Sequence, residues 1–157
     1  MPSPSLHPEN LLDAAGISLP ASPKTLGNYM AWSTAGNLVF TSGQLPWRDG
    51  QLAYVGKLGL ELSIDEGYAA ARLATINALA QLKEACGNLN RVARIVRIEG
   101  TFQVKPGFHE HPRALDGASD LVNEIFQERG RHSRMIYTNP DMPMNTPVLI
   151  VVYAEIR

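Results

Sequence analysis

Arg134 lies in a run with strand character, Arg131 to Thr138, just ahead of a second such run, Thr146 to Ile156. In the second run Val148, Ile150, Val152 and Ala154 point one way while Leu149, Val151 and Tyr153 point the other, so the strand is apolar on both faces. A guanidinium beside such a strand is costly unless an anion meets it. The chemistry this predicts is capture of a small carboxylate by the planar fork of Arg134; the competing reading is a structural ion pair across a subunit interface. His132 alternates with Arg134 and shares its face of the strand. It has the right chemistry for a base near neutral pH, against the commoner role of a packing or surface histidine. His109, Glu110 and His111 lack a third ligand at a defined spacing, so they read as a loop histidine pair rather than a metal site.

These groups need elements to position them. Between the two runs, Asn139, Pro140, Asp141, Pro143 and Asn145 build a turn. Ser63 with Glu66 forms a capping box at the head of a helix from Ile64 to Cys86, which Gly87 stops. Its stripe of Ile64, Tyr68, Ala71, Thr75, Ala78, Leu82 and Ala85 predicts close packing against a sheet. Arg91 to Val104 is rich in β-branched residues and predicts a long strand, with a helix as the second reading. Val92, Val96, Ile98, Phe102 and Val104 should line one face and Arg97, Glu99, Thr101 and Gln103 the other. Pro112 to Arg129 predicts a second helix. Upstream, Met1 to Ser5 read as a loose tail and Pro8 to Ala15 as a short helix ended by Gly16. Two strands are expected at Tyr29 to Ser33 and Asn37 to Ser42. Leu45 to Leu62 reads as a loop with an extended piece at Leu52 to Val55.

The order is that of an α+β domain with two helices on one face of a mixed sheet. One domain is expected over 1–157, with 1–22 as an N-terminal extension. Two helices cover one face only, and the last strand is apolar on both. A second copy must therefore cover the other face, and an obligate homo-oligomer is expected.

Composition excludes several classes. With 157 residues, 45% of them hydrophobic, and a net charge of −1, the chain has a real core and no basic surplus for nucleic acid. The single cysteine, Cys86, excludes an intramolecular disulfide and a cysteine-based zinc site, and reads as a small core residue. MPSPSLHPENLL has neither the charged nor the apolar region of a signal peptide, and Val148 to Ala154 is far shorter than the ~20 residues a membrane helix needs. A soluble, cytoplasmic protein is expected.

Several segments taken together resemble the RidA/YjgF family, the imine/enamine deaminases also labelled endoribonuclease L-PSP. They are PKTLGNYMAWSTAGNLVFTSGQLP, the Ser63 helix, DGASDL at Asp116 to Leu121, and GRHSR with Pro143 nine residues beyond its arginine. The DGAS stretch and the longer N-terminus are most similar to a branch of roughly 150-residue members. The resemblance implies a chorismate-mutase-like fold, a homotrimer with a central barrel, and ligand sites in the clefts between subunits. It also implies hydrolysis of 2-imino acids to 2-keto acids and ammonia with no cofactor. Residue by residue, Arg134 matches the carboxylate-clamping arginine. Tyr29 matches the tyrosine of the pocket wall, and Ser42 with Gly43 the Ser-Gly pair at the cleft; ordinary core or turn roles are the alternative for Tyr29 and Ser42. Ile136 holds the position whose backbone faces the ligand, often a cysteine, and Ser119 falls near a position that can be asparagine. One departure stands out. Deaminating members place a water-positioning glutamate fifteen residues after the arginine, and here that residue is Leu149. Glu155 lies on the same face of the strand but about 20 Å further along.

Three functions follow. The first is an imine/enamine deaminase acting on a small carboxylate, with weak or altered activity because of Leu149. The second is a trimeric carboxylate-binding protein without catalysis. The third, a ribonuclease, is opposed by the near-neutral charge and the absence of a Lys/Arg cluster.

Overall fold

A computed structural model describes residues 7–157; the expected tail at Met1 to Ser5 lies outside the described residues. The elements run α1 (Pro8–Ala14), β1 (Trp32–Ala35), β2 (Leu38–Thr41), β3 (Trp47–Arg48), β4 (Gln51–Leu52), α2 (Ile64–Cys86), β5 (Val92–Gln103), α3 (His111–Phe126), β6 (Ser133–Asn139) and β7 (Val148–Ile156). Five strands form a mixed sheet in the order β1-β2-β7-β5-β6, in which only the β5–β6 pair is parallel. Strands β3 and β4 form a separate hairpin.

Strand β7 takes the centre of the sheet because both of its faces can be buried. Val148, Ile150, Val152 and Ala154 are fully buried under the helices, while Leu149, Val151 and Tyr153 stay half-exposed on the far face. Each buried Val or Ile there contributes roughly 1.5–3 kcal/mol. On the far face Tyr153 opposes Phe40 across the β2–β7 pair, ring edge to ring face with centroids 5.4 Å apart. None of the described residues covers this face.

Helices α2 and α3 cover the other face. The expected capping box is present, with Ser63 Oγ accepting from Glu66 N and Glu66 Oε1 accepting from Ser63 N, both at 3.1 Å. Ala70, Ala71, Ala74 and Ala78 are fully buried, so the helix lies close to the sheet. At Gly117 the two helices touch backbone to backbone: a Cβ there would lie 2.1 Å from the Tyr68 carbonyl oxygen. Helix α3 starts at His111 rather than Pro112 and ends at Phe126 rather than Arg129. Gln127 turns to φ +54°, and 127–130 tighten into a 3₁₀ turn.

The expected faces of β5 need correction. Register shifts between Val92 and Arg94 and between Ile95 and Arg97 mark bulges that break the alternation. Ile95, not Val96, therefore joins Val92, Ile98 and Phe102 in the core. Gln103, expected to face outward, is only 2% exposed. Its Oε1 accepts from Met142 N and its Nε2 donates to Asn145 Oδ1, both at 2.6 Å, which clamps the turn into β7. Near the N-terminus, the strand expected from Tyr29 begins only at Trp32, whose partner is Thr41. Tyr29 to Ala31 are bent, with Tyr29 N donating to Gly27 O. The region read as a loop holds the β3–β4 hairpin, turned by Asp49 and Gly50 at φ +52° and +78°. No helix among the described residues is long and apolar enough to cross a membrane.

Candidate functional site

Strand β6 is an edge of the sheet, paired on one side only. Arg134 is opposite Ile98, a fully buried residue of the helix-covered face, so its side chain runs toward α3. There Nη1 donates to Asp116 Oδ1 at 2.8 Å and to Ser119 Oγ at 3.1 Å, and Nη2 makes a long contact of 3.4 Å to the Pro112 carbonyl. Asp116 and Ser119 are three residues apart on α3, which places both over the same strand. Nε donates to no described residue, so the Nε–Nη2 edge of the fork remains open. The Arg134 and Asp116 side chains are 32% and 48% exposed, which limits this ion pair to about 0–1 kcal/mol of stability. Its effect is orientation.

His132 completes a directional chain. Its Nδ1 lies 2.6 Å from the Gly130 carbonyl, which can only accept, so Nδ1 carries the proton. In the neutral ring Nε2 is then an acceptor, 2.9 Å from Ser119 Oγ. Ser119 donates to His132 and accepts from Arg134. When His132 is protonated, Nε2 becomes the donor and the Ser119 hydroxyl proton is released toward another acceptor. The expected pair Arg134 and His132 is thus linked through Ser119. Ile136 follows on the same face of β6, opposite Gly100 and half-buried against the core.

The other expected residues are elsewhere. Ser42 ties down the bent segment, its Oγ donating to Met30 O at 2.6 Å and its N–H to Ala31 O at 2.8 Å. Gly43 lies against β7, where a Cβ would be 3.4 Å from Leu149 Cδ2. Tyr29, 52% exposed, borders a small recess with Ser42, Gly43 and Gln44. Strands β7 and β5 separate β2 from β6, a span of roughly 14 Å at normal strand spacing. Leu149 also points to the opposite face from Arg134, since its cross-strand partners are Thr101 and, beyond it, Tyr137. One chain therefore holds the expected site residues in two separate groups.

Sequence reasoning missed Asp116 and the Gly130 carbonyl as partners. The Asp116–Ser119 spacing on a helix was the available signal for the first; a backbone carbonyl leaves none. His109, Glu110 and His111 do not converge on a metal site, and no group of three or more His, Cys, Asp or Glu among the described residues does. Glu110 pairs with Arg113 at 3.0 Å. His111 Nδ1 is buried without a hydrogen-bond partner, and burial, aided by the charge of His109, holds its pKa below the usual value. Cys86 is buried, which pushes its thiol pKa up, and its Sγ–H donates to Asn88 O.

The chain is similar to several known proteins. A crystal structure from Shewanella oneidensis MR-1, provisionally designated an endoribonuclease, is 54% identical with a TM-score of 0.94, covering 96% of this chain and 99% of that one. Protein TCP17 of Trypanosoma cruzi is 34% identical over 147 residues, 93% of this chain and 92% of its own. The YjgF gene product of E. coli, at 20% identity and TM-score 0.62 over 87% of this chain and 94% of that one, shares the fold. The chain matches the YjgF/chorismate mutase-like family, itself provisionally designated endoribonuclease, over residues 9–156. It belongs to that family, as the resemblance to RidA/YjgF proteins implied.

Proposed function

We propose that the protein is a RidA-type imine/enamine deaminase for small carboxylates, assembled as a homotrimer whose sites lie between copies. The observation behind this reading is the open Nε–Nη2 edge of Arg134, on an edge strand, with Nη1 already fixed by Asp116 and Ser119. That edge matches a carboxylate bidentately. With the carboxylate held, the adjacent sp² carbon of a 2-iminium acid lies outward of the Nε–Nη2 edge, on the side of the guanidinium away from Ser119, so the Ser119–His132 pair serves to orient Arg134. Water adds to that carbon, the C–N bond breaks, and the two protons that water loses pass to the departing nitrogen, so the products are a 2-keto acid and ammonium.

Tyr29, Ser42, Gly43 and Leu149 would come from a neighbouring copy and close the cleft. The uncovered face of the sheet, with Leu149, Val151, Tyr153 and Phe40, is the surface such an assembly needs. Leu149 stands where deaminating relatives carry the water-positioning glutamate, so activity on simple 2-imino acids is expected to be weak. The same residue supports a second reading, carboxylate binding without turnover. An amino-acid oxidase supplying 2-imino acids, with 2-keto acid formation followed at once, separates the two. Faster keto-acid release with the protein supports the deaminase. No acceleration, with 2-oxobutanoate still bound, supports the binding protein.

A further inference from the structure

A large cavity is lined by none of the Arg134 cluster. About 570 Å³ in volume, it lies between the N-terminal segment 16–26, the β3–β4 hairpin and the outer flank of α2. That is ample for a small organic ligand. Its apolar lining includes Leu73 and Ile76, three residues apart on α2, and Trp47 of the hairpin, all half-buried. Such side chains gain by burying against an apolar body.

The polar groups around this body are specific. Asn77, only 1% exposed, lines the cavity. Its Nδ2 donates to the carbonyls of Leu45 and Trp47 at 2.9 and 3.2 Å, and these bonds fix which end of the amide is the oxygen. Its Oδ1 accepts from no described residue. The oxygen is not sealed from solvent, so it is free to accept from a donor in the cavity. At the rim stand Lys24 and Arg48, neither with an ion pair or hydrogen bond among the described residues, and one carboxylate, Asp49. The rim is net positive.

We propose that this cavity is a second ligand site, for an amphipathic anion: a flat apolar ring system bearing an N–H or O–H donor and a carboxylate on a short arm. The ring packs between Trp47 and the Leu73–Ile76 flank, the donor meets Asn77 Oδ1, and the carboxylate reaches Lys24 and Arg48. The site shares no residue with the Arg134 cluster, but Pro23, Lys24, Leu26 and Trp47 also line the Tyr29 recess, so the cavity adjoins that part of the proposed cleft.

The test uses indole-3-acetate as the probe and isothermal titration calorimetry on the full chain, with the Trp47 indole N–H followed by NMR. One saturable site per chain is expected, with the Trp47 signal shifting on binding. The surface double variant Lys24→Glu/Arg48→Glu should weaken it by about tenfold or more, since both attractions become repulsions. Leu73→Trp, which fills the cavity, should abolish it, and naphthalene-1-acetate, which lacks the N–H, should bind several-fold more weakly. Arg134→Ala should bind the probe as the native protein does. The proposal is overturned by the absence of saturable binding, or by equal affinity in the charge-reversed variant. Loss of binding in Arg134→Ala would overturn it too, because the probe would then be occupying the carboxylate clamp.

Discussion

The two edges of the sheet are built differently. At the β6 edge, Arg134, Asp116, Ser119, His132 and the Gly130 carbonyl form one hydrogen-bonded chain, in which each donor and acceptor fixes the next. At the β1–β2 edge, Ser42 uses its hydrogen bonds to hold a bent segment, Tyr29 is half in solvent, and Leu149 packs against Gly43. The first group is preorganised within one chain; the second offers shape and no carboxylate, with Lys24 as its charged side chain. On the proposed function, recognition of a carboxylate and closure of a cleft around it fall to different edges of the molecule, and a second copy would bring those edges together.

The sharpest way to break this contrast is to delete the clamp. Arg134→Ala should lower affinity for 2-oxobutanoate by about 2–5 kcal/mol, the range for losing one side of a hydrogen-bonded charge pair, with the fold intact. Calorimetry with circular dichroism checks this, and unchanged affinity would make Arg134 a structural residue. Next in size is the edge without a carboxylate. Leu149→Glu restores a carboxylate there and should raise turnover of 2-imino acids by about 10²–10⁴-fold, the usual worth of a positioned acid–base group. An oxidase-coupled assay measures it, and equal rates would mean that a carboxylate at this position is not needed for attack by water.

Smaller effects come from the scaffold. Gly117→Ala pushes a methyl into the Tyr68 carbonyl and should cost about 1–3 kcal/mol in thermal unfolding, as overpacking does. Because α3 carries Asp116 and Ser119, ligand affinity at the β6 edge should fall with it, while the Tyr29 recess is unaffected. The smallest expected effect is on pH dependence. Burial holds the His111 pKa low, so the folded state favours the neutral ring. That contribution is fully present above the ordinary histidine value of about 6.5 and is lost as pH falls through the depressed folded value. His111→Gln should therefore lose less melting temperature than the native protein between neutral pH and about pH 5.

Much of this was legible in residue order. β7 could be read because alternation survives in an unbulged strand, and its two apolar faces announced an uncovered surface. Ser63 and Glu66 could be read because a capping box is local. Arg134 was conspicuous as a cation beside an apolar strand. The faces of β5 were not legible, since a bulge shifts register without changing composition. Neither was the bent start at Tyr29, which depends on Ser42 reaching Met30 twelve residues away. Asp116 escaped notice because its partner is on another element, and the Gly130 carbonyl because every residue has one.

The central claim is that one site is made by two chains, and subunit mixing tests it most directly. Arg134→Ala removes the clamp from one edge, and Gly43→Glu fills the recess at the other and repels a carboxylate. Each variant alone should fail to bind 2-oxobutanoate. Refolded together in equal amounts, they should regain about a quarter of the native number of sites, since each closed interface then has two independent even chances of being intact. Mixed oligomers that form and still bind nothing, at any ratio, would contradict the account and put both half-sites in a single chain.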